Sequence, residues 1–453
     1  MKFMSLFTLL GALLFIPTTH AAEQAAFSGM SYLDNGTVRI GINLDIGGAI
    51  TYLSKSKDGE NIINSHDWGR QIQMSFYSGP TPYEPDGKKP APAWTFIGWN
   101  PIQSGDVAGN PSKVIAHTNN GTEMYVKCIP MHWPLDNEPG HCTFESWLTL
   151  KDNTVSVRSQ INNARDDHTQ HNARGQELPA VYTNGNYYRL FTYDGGQPFS
   201  GAPLRQITKV WDTKYPPAEA PGGPWDSWYG TESWAALVRD DGFGLGIWTP
   251  GTYQFTGGFA GKPGKGGPKD GPTGYISPIR REILDHNIQY QYDYTLIVGQ
   301  LETIRDYVYK HAERVTLPDY TFDNDRQSWT LAGASDAGWP MTGHWKVTLA
   351  DKSARMAGPN TFWKASDLPT LYIRAAYDTG STTATLRWEG FAGQGGGQTQ
   401  FEVIPDGVMR TYTIDLAAAK GYTGNCAKFI LIPGADGGAN RTVTVESISH
   451  KKP

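Results

Sequence analysis

Val38-Arg39-Ile40-Gly41-Ile42-Asn43-Leu44 sets an apolar residue at every second position, and Thr154-Val155-Ser156-Val157-Arg158-Ser159-Gln160-Ile161 repeats the pattern. A period of two sends successive side chains to opposite faces, so each stretch reads as a half-buried strand. Stretches 144–150, 234–238, 244–248 and 288–298 read the same way. Between the apolar runs stand Asn35-Gly36, Asn120-Gly121, Asn184-Gly185, Asp194-Gly195 and Asp241-Gly242. Such dipeptides supply the positive φ that a tight hairpin requires. The expected class is all-β, built mainly from antiparallel hairpins.

Composition agrees. The 453 residues are 18% charged and 12% aromatic, with 52 Gly and 30 Pro. That excludes a charge-rich disordered chain, a coiled coil and a helical bundle, which draw on Glu, Lys, Ala and Leu. A formal net charge of −5 argues against nucleic acid as the partner. The length suggests two domains. One helix is predicted over 300–311, where Leu301, Ile304 and Val308 share a face and Lys310 and His311 suit the C-terminal end. Leu317-Pro318 follows as a boundary. Residues 22–318 are therefore expected to form a large antiparallel β-supersandwich, and 319–453 a smaller β-sandwich or jelly roll.

Lys2, the apolar run 3–16, Pro17 and Thr19-His20-Ala21 have the pattern of a secretory signal peptide, 1–21. The run is short of the ~20 residues that span hydrocarbon. The expectation is a secreted or periplasmic protein with no stable membrane insertion. Cys128 and Cys142 flank a turn-rich stretch, and a disulfide between them would be worth up to about 3 kcal/mol. Cys426 is expected as a buried free thiol. With no CxxC pair, structural zinc is not expected; no cofactor is called for. Stretches 78–92 and 256–274 are rich in Pro or Gly and read as loops, either lids or solvated excursions.

Polar and aromatic residues concentrate in the larger unit. In 66–77, Gln71, Gln73 and Ser75 share one strand face while Ile72, Met74 and Phe76 share the other. The polar face can floor a groove with Asp67 and Arg70 at its entrance; the plainer reading is a surface pair worth under about 1 kcal/mol. In 166–182, Glu177 stands directly before Leu178-Pro179-Ala180-Val181-Tyr182. Burial there would raise its pKa toward the range of a general acid, whereas Arg174 could hold it ionised. His168 and His171 have a helical metal-ligand spacing, but this segment is not helical. In 224–234, three Trp and a Tyr stand beside Asp226 and Glu232. Aromatic faces stack on the C–H faces of sugars, and carboxylates bind their hydroxyls. Trp234, inside an alternating strand, is read as core, with Trp228 and Trp99 as the cleft residues. Arg280-Arg281-Glu282 brings another acid and two cations. No GxGxxG opening a helix, GxxxxGK[ST], HExxH or GxSxG occurs, which counts against nucleotide use, zinc proteolysis and an α/β-hydrolase.

Stretch 41–53, with Gly41, Gly47 and Gly48, followed by Asn61-Ile62-Ile63-Asn64, resembles the first strands of galactose-mutarotase-like proteins. The resemblance implies a β-supersandwich and a sugar ligand. The family includes aldose epimerases, which use a Glu and a His on a concave face, and domains of polysaccharide-degrading enzymes. The later unit, with Phe322-Asp323 and Trp329 near its start, is similar to carbohydrate-binding β-sandwiches.

The expected function is glycoside hydrolysis. Glu177 is the general acid and Asp67 the second carboxylate, in a cleft with Arg70, Gln73, Trp99, His171, Arg174, Trp228, Glu232 and Glu282 as substrate-binding candidates. Two alternatives stand beside it: a lyase in which Arg70 or Arg174 neutralises a uronate, and a non-catalytic glycan-binding protein.

Overall fold

A computed structural model describes residues 27–57, 59–208, 210–211, 225–314, 316–393, 395–436 and 440–453. The expected signal peptide lies outside the described residues. Among them, no helix is long and apolar enough to cross a membrane.

The alternating stretches become strands. Val38–Asn43 pairs antiparallel with both Met30–Asp34 and Ala49–Lys55. In Thr154–Asn163, Val155, Val157, Ser159 and Ile161 are buried while Ser156 and Arg158 are exposed. Each buried Val or Ile side chain contributes about 1.5–3 kcal/mol. At the Asn35-Gly36 turn, Gly36 takes φ 81° and the Asn35 side chain accepts from the amides of Thr37 and Val38.

These strands assemble into an 11-stranded and a 9-stranded sheet. The first runs Met30–Asp34, Val38–Asn43, Ala49–Lys55, Ile72–Ser75, Arg174–Asn184, Thr273–Glu282, Gln254–Ala260, with Trp225–Tyr229 on its far edge. The second is centred on Phe243–Trp248, Gln289–Gln300, Thr154–Asn163 and Cys142–Lys151. Ile72, Met74, Val181, Ile276 and Phe255 of the first pack with Phe144, Val157, Leu245 and Tyr292 of the second in one continuous core. The helix forms where it is predicted, α1 (Leu301–His311), and buries Ile304 and Val308 against Trp234, Ala236 and Ile297.

Residues 319–449 supply two six-stranded sheets around a separate core containing Trp329, Trp345, Trp363 and Trp388. Polar contacts join them to the preceding part of the chain. Arg326 reaches Asp285 and Asp336, each at 2.6 Å, with all three side chains nearly sealed from solvent. Gln170 bonds Asp336, and the Trp339 amide donates to Asp285.

Two expectations need correction. All three cysteines are free and buried, so no disulfide joins Cys128 to Cys142. Cys128 lies opposite Phe144 in the strand register, which leaves Cys142 two residues along. Diagonal neighbours stand about 7–8 Å apart, wider than the usual span of a disulfide. Stretch 256–274 is not all loop, because Gln254–Ala260 and Thr273–Glu282 take its two ends into the sheet. Gly257 tolerates no side chain there, since a Cβ would lie 2.2 Å from the Tyr275 carbonyl oxygen.

Candidate functional site

Opposed residues of antiparallel neighbours share a face, and the register sets Ser75, Glu177 and Ile279 side by side across three strands. Leu178 and Val181 enter the core, so Glu177 stands on the outer face of the 11-stranded sheet. Tyr77 donates to its Oε2 at 2.9 Å, and Tyr275 donates to its Oε1. Ser75 donates in turn to the Tyr77 phenol oxygen at 3.0 Å. Both carboxylate oxygens therefore carry a phenol donor, and each keeps a lone pair for a ligand.

Burial pushes the Glu177 carboxyl above its usual range, and the hydrogen bonds from Tyr275 and Tyr77 only partly offset it. Burial, and then the neighbouring Glu177 charge, lift both phenols well above the ordinary tyrosine value, so both stay protonated donors.

Aromatic rings wall the site. Tyr182 stacks on Tyr275 at 4.6 Å, and Trp225 tilts against Tyr275 at 4.9 Å. Gly258 lies between Trp225 and Tyr275 in the register, and its missing side chain lets the indole reach across. The Arg174 guanidinium is 5.9 Å from the Tyr77 ring centre and donates to the carbonyls of Ser78 and Ile97. Arg281, opposite Gly175, is exposed two residues along from Ile279.

The other candidates are dispersed. Asp67 is 45% exposed, caps the Gly69 amide and pairs with Arg70 at 3.1 Å. Arg70 also bonds the Gly271 carbonyl, at the end of the sheet where Ile63 meets Thr183. Glu177 lies six residues down that strand from Thr183, about 20 Å of extended chain. Gln73 shares the polar face as expected, but the Trp68 carbonyl and Ser104 amide cover it, so it is buried and lines no groove. Trp99 and Trp228 are core residues, not cleft residues. Trp99 is fully buried beside His132 and Arg165, and Trp228 stacks on Phe255. His171 pairs with Asp167 at 2.8 Å while His168 stacks on His286, so the two do not converge. Glu232 is buried and accepts from Trp234, Tyr309 and the Phe199 amide, under α1. Glu282 is buried and takes bonds from Tyr290 and Ser328.

Tyr77, Tyr275, Tyr182 and Trp225 complete the site and were not singled out from sequence. For Trp225 the signal was parity, because in Trp225–Tyr229 it shares a face with Ser227 while Trp228 goes inward with the core.

A hollow of about 860 Å³ lies against the other sheet, around Tyr125, Trp147, Arg158 and Asp293. Its Trp147 ring is covered by Arg158 at 4.0 Å, and the adjoining Glu145 is tied to Tyr125, Lys127 and Asn162. The Glu177 site has the better proton chemistry.

No family model and no curated protein sequence matches the chain. Among solved structures, a galactose mutarotase related enzyme from Lactobacillus acidophilus is similar over 60% of this chain and 97% of its own, at 12% identity and TM-score 0.36. A galactose mutarotase-like protein from Lactobacillus casei covers 60% of this chain and 100% of its own, at 13% identity and TM-score 0.35. A 4-alpha-glucanotransferase from Thermococcus litoralis matches 60% of this chain and 37% of its own, at 10% identity and TM-score 0.33.

Proposed function

We propose that the chain is a carbohydrate-active enzyme that cleaves glycosidic bonds, with Glu177 as the proton donor. The observation that carries this reading is a carboxyl group raised by burial on an aromatic-walled face, with a phenol donor on each oxygen. In its neutral form Glu177 holds the proton that a departing glycosidic oxygen needs. Once the proton leaves, charge appears on a carboxylate already aimed at by Tyr77 and Tyr275. Those hydrogen bonds strengthen as the charge develops, so they stabilise the transition state more than the ground state. Trp225 and Tyr182 offer ring faces to the sugar.

Asp67 makes its bonds elsewhere, so we assign it no part in the proton transfer. The same separation favours one second reading, β-elimination from a uronate, in which Arg174 or Arg281 faces the sugar carboxylate and ionised Glu177 takes the C5 proton and passes it to the departing O4 as the C4=C5 double bond forms.

Incubation with neutral and acidic polysaccharides, read by reducing ends and by ultraviolet absorbance, tests both readings. Hydrolysis yields reducing ends alone, whereas elimination adds the absorbance of an unsaturated product. Glu177→Gln, which removes the transferable proton with little change of shape, is expected to lower turnover at least ~100-fold. Near wild-type turnover in that variant would overturn the assignment.

A further inference from the structure

One strand across from Glu177, its register partner Ile279 forms part of the wall of a second cavity, of about 320 Å³. The earlier part of the chain contributes Thr252, Gln254, Arg280 and Arg281; the later part contributes Gln327, Asn360 and Lys428. Three of its lining residues are cationic and none is acidic. Glu282, the nearest acid on the same strand, is shut away behind Ser328, whose hydroxyl it accepts at 2.6 Å. Lys428 pairs loosely with Glu389 at 3.8 Å, and Arg280 donates to the Thr252 hydroxyl at 2.7 Å and the Pro250 carbonyl at 2.9 Å. Arg281 gives one nitrogen to the Ala173 carbonyl and is otherwise exposed.

The wall is also strained. Gln327 and Ser328 are consecutive non-glycine residues with φ of 45° and 62°. Left-handed backbone at such residues costs of order 1–3 kcal/mol each and persists where the surroundings hold it. Here the Asp325 carboxylate holds the Gln327 amide and Glu282 holds Ser328, while Asn360 bonds Gln254 at 3.0 Å across the gap. Both parts of the chain are thus fixed around one polar, cationic space that reaches the strand next to the candidate proton donor.

We infer that this cavity is a subsite for an anionic substituent, a carboxylate or a sulfate, on the glycan that Glu177 cleaves. The inference rests on the carbohydrate reading of the Glu177 site and adds the substrate class. Arg280 is already spent on the Thr252 hydroxyl and the Pro250 carbonyl, which leaves Arg281 and the loosely paired Lys428 to meet a ligand; an anionic substituent gains charge-assisted hydrogen bonds from them that a neutral sugar does not. The chain's overall charge of −5 does not oppose this, because the local field of a walled cavity dominates at contact distance.

The test measures binding apart from turnover. Glu177→Gln protein is titrated calorimetrically with trigalacturonate, a sulfated carrageenan tetrasaccharide and neutral cellotriose, at low and high salt. Tighter binding of one anionic probe than of cellotriose, weakened by salt, is expected, and which anion binds separates uronate from sulfate. Adding Arg281→Gln and Lys428→Gln should weaken that binding at least about tenfold. Arg281→Lys, which keeps the charge, should retain most of it, with an unchanged melting temperature showing that the fold is intact. Equal binding of cellotriose and the anionic probes, or anionic binding indifferent to the double substitution, overturns the subsite. Full turnover by Glu177→Gln would instead overturn the catalytic reading, so the two failures are distinct.

Discussion

Tyr275 shows how much one hydroxyl is asked to do. Its phenol donates to Glu177, a bond to the ionised form of the acid, so it pulls the Glu177 pKa down against burial. Tyr275→Phe should lower kcat and move the descending alkaline limb of the pH–rate profile to higher pH, because the proton is then held more tightly. A merely structural role would leave that limb in place. Stability follows the same sign. A carboxyl whose folded pKa is raised contributes stability below the unfolded value of about 4.3, and that contribution is lost as pH rises through the folded value. Glu177→Gln removes this pH-dependent part, so the melting-temperature difference between the variant and wild type should shift in the variant's favour as pH rises through the folded value. The cysteines give a simpler readout. Burial raises all three thiols above their usual value, so a thiol reagent should find none in the native protein and three after unfolding. At this scale the sequence was only partly readable. Glu177 stood out because an acid precedes an apolar strand start, but the two phenols come from positions 100 residues before it and 98 after. Nothing local could have joined them to it.

Among elements, period-two alternation finds strands such as Val38–Asn43 and Thr154–Asn163 but misses the glycine-rich Gln254–Ala260, and the helix is legible from its apolar face. Alternation also separates core tryptophans from surface ones, and that is where Trp228 was misjudged: counting aromatics ignored that its neighbour Trp225 had the outward parity. Trp99 carried no such signal, since it lies in no alternating run. The packing of α1 depends on an absence. A Cβ on Gly246 would lie 2.3 Å from the Ile304 side chain, so the helix rests directly on the strand backbone. Gly246→Ala should destabilise by about 1–3 kcal/mol, visible as a lower urea midpoint with an unchanged slope. If the midpoint does not move, the close seating of the helix is wrong.

For the molecule as a whole, the Asp285–Arg326–Asp336 cluster is the hinge pin between the two cores. Burial would raise the Asp336 carboxyl, but the hydrogen bonds and charge of Arg326 outweigh it and hold the group below its usual value. A lowered folded pKa contributes stability above about pH 3.9, and that contribution disappears as pH falls through the folded value. Acid should therefore loosen the junction. Arg326→Met should cost about 3–5 kcal/mol at neutral pH, since two buried carboxylates lose their cation. Calorimetry should then resolve two melting transitions where wild type gives one. Sequence reading had no access to this junction, because a charged residue in a turn looks the same whether it meets solvent or two acids from elsewhere. The strained turn at Gln327 and Ser328 has a consequence for ancestry. Because the later part of the chain supplies Gln327, Ser328 and Asn360 to the cavity wall next to Ile279, exchanging that part for a cousin's would, on the proposed function, redraw the list of accepted glycans. Diversification of this architecture should therefore be sought in the appended module, with the proton donor left as it is.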